Sequence, residues 1–151
     1  MSSYLSFYLV PKKEVTKYPE GKETIIKLSE GIPLKFASYS RNNEIYQAFN
    51  DAIHPAYCGM EDKYTELTTE KMNSVINHYR YELEEEKKAY TNRCEVLKAV
   101  DSKEWDNVQD LLLLKEDISL KEQTLEELVM LKDLFEEIKY SDFEKVLCNV
   151  D

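Results

Sequence analysis

The chain has 151 residues, of which 42% are apolar and 33% charged, with 20 basic against 30 acidic side chains and only three glycines. That balance fits one folded domain and is too apolar for an intrinsically disordered segment. No apolar run approaches the roughly 18 residues of a membrane helix, so no membrane association is expected. The opening MSSYLSFYLVPKK places its charges after its apolar stretch and does not read as a secretion signal.

The charge is segregated. Residues 1–63 carry 8 basic and 8 acidic side chains, and residues 64–151 carry 12 and 22, so the whole net charge of −10 falls in the second part. A carboxylate-rich surface repels phosphates, which excludes direct nucleic-acid binding but leaves basic protein surfaces as partners. Cys58, Cys94 and Cys148 are odd in number and widely spaced, with no CxxC pair. They read as free thiols of a cytoplasmic protein.

In chain order, residues 4–10 alternate, with Leu5, Phe7 and Leu9 on one face and Tyr4, Ser6 and Tyr8 on the other, until Pro11 ends the pattern. Residues 12–22 read as a polar connection. Residues 23–29 and 34–40 suggest two strands joined by a four-residue turn at Glu30-Gly31-Ile32-Pro33, completing a three-stranded antiparallel sheet. The period then changes: Ile45, Ala48, Phe49, Ala52 and Ile53 form a helical stripe over 43–53, capped by Ser40 or Asn42 and stopped by Pro55. Residues 54–64 read as an irregular link.

A helix is predicted over 69–98, with Thr68 as its N-cap and Leu67 and Met72 as a hydrophobic staple. Ile76, Leu83, Tyr90 and Leu97, seven apart, form one seam column, whereas the companion column of Tyr79, Glu86 and Arg93 is too polar for a long continuous coiled coil. Asp101-Ser-Lys-Glu104 has the form of a capping box and restarts a helix over 102–139. Its apolar pattern contains Trp105, Val108, Leu111, Leu112, Leu114, Ile118, Leu125, Leu128, Leu131, Phe135 and Ile138. The two rods, roughly 45 and 57 Å long, must lie antiparallel across so short a turn. Pairing residues whose numbers sum to about 200 sets Ile76 near Leu125, Leu83 near Ile118, Tyr90 near Leu111 and Leu97 near Trp105. The stretch Lys115–Ser119 is where the second rod would break, if it breaks. Ser141-Asp-Phe-Glu144 repeats the capping-box form and predicts a short C-terminal helix presenting Phe143, Val146 and Leu147.

The expected fold is therefore α+β and mostly α, a single domain over 1–151. A small antiparallel sheet with a short helix (1–63) precedes a long antiparallel helical hairpin (64–140) and a docked helical tail (141–151).

Catalytic templates fail throughout. Gly21, Gly31 and Gly59 are too far apart for a phosphate-binding loop or dinucleotide fingerprint. His54 and Cys58 supply half a zinc site at most, and no spacing selects His78, Cys94 or a carboxylate to complete it. His54 and Cys58 also lack an orienting third group for nucleophilic catalysis. No enzyme activity, cofactor or metal is expected. Eleven tyrosines are many for this length, and Tyr4, Tyr8 and Tyr39 fall opposite the Leu5–Phe7–Leu9 face. With Trp105 at the hairpin tip they are candidate interface residues, the alternative being that the hairpin covers the tyrosines and that Trp105 plugs the seam against Leu97.

The stretches SYLSFYLVPKK, SYSRNNEIYQAFND, TLEELVMLKDLFEEI and YSDFEKVLCNVD together resemble small uncharacterised proteins of bacteriophages that infect gut bacteria. The resemblance implies a viral, non-enzymatic protein in a host cytoplasm or a virion, and assigns no functional residue. The expectation is a protein-interaction or assembly protein whose partner is another protein or a second copy. Its runner-up is an acidic inhibitor that mimics nucleic acid before a basic host protein.

Overall fold

The structure, a computed structural model, describes residues 3–11, 14–17, 23–26, 34–57, 64–99, 105–139 and 143–150. Its elements are β1 (Tyr4–Pro11), β2 (Glu14–Lys17), β3 (Glu23–Ile26), β4 (Leu34–Ser40), α1 (Glu44–Ile53), β5 (Thr65–Glu66), α2 (Thr69–Ala99), α3 (Trp105–Lys139) and β6 (Phe143–Val150). The α+β class and the helical hairpin are as the sequence predicts. Several details are corrected, three of them in the strands.

The first correction is the tail. Residues 143–150 form a strand, not a helix, and that strand lies inside a four-stranded antiparallel sheet of order β4-β1-β6-β5. β6 runs along β1 from Leu5↔Val150 to Pro11↔Phe143, so Val146, Cys148 and Val150 share the buried face with Leu5 and Phe7. A central strand beside β1 satisfies both a ladder and an apolar face, and this tertiary pairing outweighs the capping-box signal.

The second concerns the strands after β1. The predicted connection contains β2, which pairs with β3 in a separate two-stranded sheet, and β4 pairs with β1 rather than with β3. The turn at Glu30–Pro33 lies outside the described residues.

The third is a β-bulge. Phe7 faces Ala37 and Tyr8 faces Lys35, which leaves Phe36 without a partner of its own. An extra residue reverses the alternation beyond it. Phe36 and Tyr39 consequently both reach Phe7, at centroid distances of 6.1 and 5.9 Å.

The core forms where the sheet meets α1, the first half of α2 and the last half of α3. Phe7 is its centre, with Phe49 of α1 at 5.2 Å and Phe135 of α3 at 5.5 Å. Asn43 caps α1, in place of Ser40 or Asn42, by accepting a hydrogen bond from the Ile45 N–H at 2.9 Å. The helix ends at His54, whose left-handed backbone (φ 48°) reverses the chain just before the buried Pro55. Thr68 caps α2, accepting from the Lys71 N–H at 3.2 Å, and Leu67 and Met72 are both buried as the staple requires. The capping box at Asp101–Glu104 lies outside the described residues.

α3 is continuous through Lys115–Ser119. The antiparallel register is displaced from the predicted pairing. Glu86 meets Lys121, where the sequence pairing set it against Leu114, and Lys87 meets Glu122 at 3.3 Å. Lys121 lies between Glu86 and Asp117, the latter at 3.5 Å. Burial disfavours its charge, but Glu86, Asp117 and Glu44 together hold its ammonium above the ordinary lysine range. The half-buried Lys121–Glu86 pair and the more exposed Lys87–Glu122 pair thus mark a register different from the one that apolar matching alone selects. Tyr79 ties the hairpin to α1 through its hydroxyl, which donates to Glu44 Oε2 at 3.2 Å.

Cys148 lies wholly within the core, and burial, slightly offset by Lys71, pushes its thiol up to about 12. Alkylation of the folded protein is expected to spare Cys148 while half-buried Cys94 reacts, with both labelled in urea; peptide mass mapping checks this. The sign of the pH effect follows from the same shift. The unfolded thiol loses its proton near pH 9 and the folded one near 12, so its contribution to stability is complete below 9 and lost as the pH rises towards 12. Tyr79, whose phenol is raised chiefly by burial, acts in the same direction. The urea midpoint is expected to fall above pH 9.

Candidate interaction surface

The four candidate interface residues are not brought together. Tyr4 is exposed near the start of β1. Tyr8 sits edge-on against Tyr64 at a centroid distance of 5.2 Å, on the face where Ser6 and Asn149 are register partners and fully buried. Tyr39 is carried by the bulge onto the core face, where burial and then the charge of Glu127 raise its phenol. Trp105 opens α3, but its side chain lies outside the described residues.

The candidate metal ligands are equally scattered. His54 is exposed at the end of α1, and Cys58 lies outside the described residues. His78 is exposed on α2 and paired with Glu82 at 3.0 Å, a solvent-side contact one helical turn long. Cys94 is half-buried further along the same helix. Among the described residues no three histidines, cysteines or carboxylates converge.

What the structure does gather is a surface on α3. Among the described side chains, burial on α2 stops at Leu83 and the first buried apolar side chain of α3 is Ile118, so the hairpin beyond them projects as a two-helix arm. From residue 84 to residue 99 that arm is about 24 Å long. Near its end Val96, Leu97 and Leu111, with Asn92, Arg93, Asn107 and Asp110, line an open cavity of about 440 Å³. Two helices alone cannot enclose their own apolar residues, and the surplus is displayed on the outer side of α3.

Leu113, Leu120, Met130 and Leu134 are 58%, 51%, 69% and 44% exposed, and Leu112, one of the apolar pattern read from the sequence, is 51% exposed. Leu113, Leu120 and Leu134 fall in a single seven-residue column, interrupted at Glu127, and Met130 lies one turn from Leu134. This is an apolar stripe about 32 Å long on one side of a helix.

Its electrostatic frame is one-sided. α2 contains six acidic and six basic residues, whereas α3 contains ten acidic and four basic, a net of −6. The carboxylates of α2 near the seam are neutralised within the hairpin by Lys87, Lys88 and Lys121. Glu116, Glu126, Glu127, Asp133 and Glu137 are exposed on or beside the stripe, and among the described residues none has an ion-pair partner. Apolar surface and unneutralised negative charge therefore coincide on one helix face.

By its fold the chain is an α+β protein in which an antiparallel sheet clasps the base of a long helical hairpin. No protein-family model, curated protein or solved structure matches it. Among the described residues, no helix is long and apolar enough to cross a membrane.

Proposed function

We propose that this is a non-enzymatic protein-interaction or assembly protein, and that the outer face of α3 is where its partner binds. The observation that carries the reading is the exposed stripe of Leu113, Leu120, Met130 and Leu134, since aligned large apolar side chains on a rigid helix are costly to leave in water unless something covers them. The phage setting, as a virion accessory or an inhibitor of a host protein, rests on the sequence resemblance and fits a small protein of this kind.

An acidic decoy that occupies a basic nucleic-acid groove is the second reading, favoured by the concentration of charge on α3. A phosphate mimic needs charge alone, however, and leaves the leucines without a purpose. The interaction reading accounts for both features.

Site-directed photo-cross-linking in extract of the source cell tests it. A photoreactive residue at position 120 is expected to form a discrete adduct with another polypeptide or with a second copy. The same residue at exposed position 88 on α2 is expected to form none. Failure of position 120 to cross-link in a folded protein would sink the reading.

A further inference from the structure

We infer that the occupant of the α3 face is a basic amphipathic helix of a different protein, an inference that rests on the docking surface proposed above. The geometry asks for a helix. The stripe is straight, one or two residues wide and about 32 Å long, which matches roughly 21 residues of a partner helix laying one apolar face along it. Among the described residues, the cavities at the arm's end, beside Lys87 and at the base of α2 include none of Leu113, Leu120, Met130 or Leu134, so the stripe is a ridge rather than a socket for a loop or a single ring.

The charges then choose between a second copy and a foreign chain. In a self-complementary pair, α3 would lie against α3, and each stripe would meet the other's Glu116, Glu126, Glu127, Asp133 and Glu137. Among the described side chains Lys115 is the one basic group exposed beside the stripe, since Lys121 is engaged with Glu86 inside the hairpin and Lys132 lines a small cavity with Thr68, Met72 and Phe135. Juxtaposing like charges in this number opposes self-association. A partner with Lys or Arg flanking its leucines instead turns every unpaired carboxylate into an attraction, while its apolar residues cover the stripe. The same arrangement explains why Glu116, Glu126, Glu127, Asp133 and Glu137 stand unpaired beside the stripe, whereas Asp117 and Glu122 of α3 and the carboxylates of α2 near the seam are paired within the hairpin.

The test uses the full chain and three synthetic 21-residue amphipathic helices. Each has leucines at heptad spacing, and their flanking positions are filled with Lys, Gln or Glu. Binding is followed by fluorescence anisotropy at low and moderate salt. The Lys-flanked probe is expected to bind at least tenfold more tightly than the Gln-flanked one and to weaken as salt rises, and the Glu-flanked probe is expected not to bind. The double variant Leu120→Ser, Met130→Ser is expected to lose at least about tenfold in affinity for the Lys-flanked probe, because both side chains lie within the stripe. Both are exposed, so its circular dichroism should be unchanged. The triple variant Glu126→Gln, Asp133→Asn, Glu137→Gln is expected to remove most of the salt dependence.

If the Gln-flanked probe binds as tightly as the Lys-flanked one, and the serine variant still loses binding, the basic partner is overturned while the docking face survives. If the serine variant binds all probes as the wild type does, or no probe binds, the inference fails. Light scattering supplies the last outcome: a dimer of the chain alone that the serine variant dissolves would identify the occupant as a second copy and overturn the foreign helix.

Discussion

A chain ending at residue 142 is expected to lose its cooperative fold. The residues removed include β6, which lies between β1 and β5. Val146, Cys148 and Val150 are buried in the core, and burial of three such side chains contributes about 5–9 kcal/mol. The total stability of a domain of this size is about 5–15 kcal/mol. Backbone pairing is lost as well. Val146 accepts from the Leu67 N–H at 2.8 Å, and Val150 donates to the Ala56 carbonyl at 2.8 Å, so β6 also anchors the segments that lead into α2. Urea denaturation followed by circular dichroism checks the expectation. The truncated chain should show a shallow, non-sigmoidal loss of helix from low urea, and an unchanged midpoint would show that β6 is dispensable.

This dependence on the tail was the least legible feature of the sequence. Ser141-Asp-Phe-Glu144 carries a helix-start signal, and Phe143, Val146 and Leu147 fit a helical face equally well. The competing signal was the alternation of Val146, Cys148 and Val150 against Lys145, Leu147 and Asn149. What decides between them is β1, whose two faces carry Leu5, Phe7 and Leu9 on one side and Tyr8 and Val10 on the other. A strand apolar on both faces wants neighbours on both edges, and β4 supplies only one. The bulge at Phe36 was hidden for a different reason. No residue type marks it, and a single inserted position moved Tyr39 from the expected outer face to the core.

The long helices were legible because their apolar spacing is sustained over many turns, and Thr68 announced the start of α2. Their register was not. Leu111 to Leu114 are four consecutive leucines, which occupy most of the circumference of a helix, so apolar residues must fall on the outer side whichever face meets α2. Leu113, Leu120 and Leu134 were visible as a column seven residues apart. Periodicity placed Ile118 and Leu125 inward, as the structure has them, but gave the column of Leu113, Leu120 and Leu134 no role, and aromatic content drew attention to Tyr4, Tyr8, Tyr39 and Trp105 instead. Contacts between Lys121 and Glu86, and between Lys87 and Glu122, show the lengthwise register of α3.

Replacement of Phe7 by Ala is expected to lower the stability of the protein by about 3–5 kcal/mol. Its ring is fully buried and is met by Phe36, Tyr39, Phe49 and Phe135 at centroid distances between 5.2 and 6.1 Å. These neighbours come from β4, α1 and α3, so the ring is the point at which two helices are fixed to the sheet. Collapse of the vacated space is opposed from two directions. β1 is held on both edges, and Phe36 and Phe135 already contact each other edge-to-face at 5.9 Å and cannot move together without losing that contact. Truncation should therefore leave most of its volume as a cavity, which puts the cost at the upper end of the range. Phe7→Leu, which keeps more volume, is expected to cost clearly less, and Tyr4→Ala, at an exposed position three residues earlier, within about 0.5 kcal/mol. Urea midpoints of the three variants at constant m-value decide the matter. A Phe7→Ala loss no larger than that of Tyr4→Ala would mean that the sheet, α1 and α3 are held together elsewhere. The expected order, Ala well below Leu at position 7 and position 4 silent, would locate the attachment of the hairpin to the sheet at this one ring.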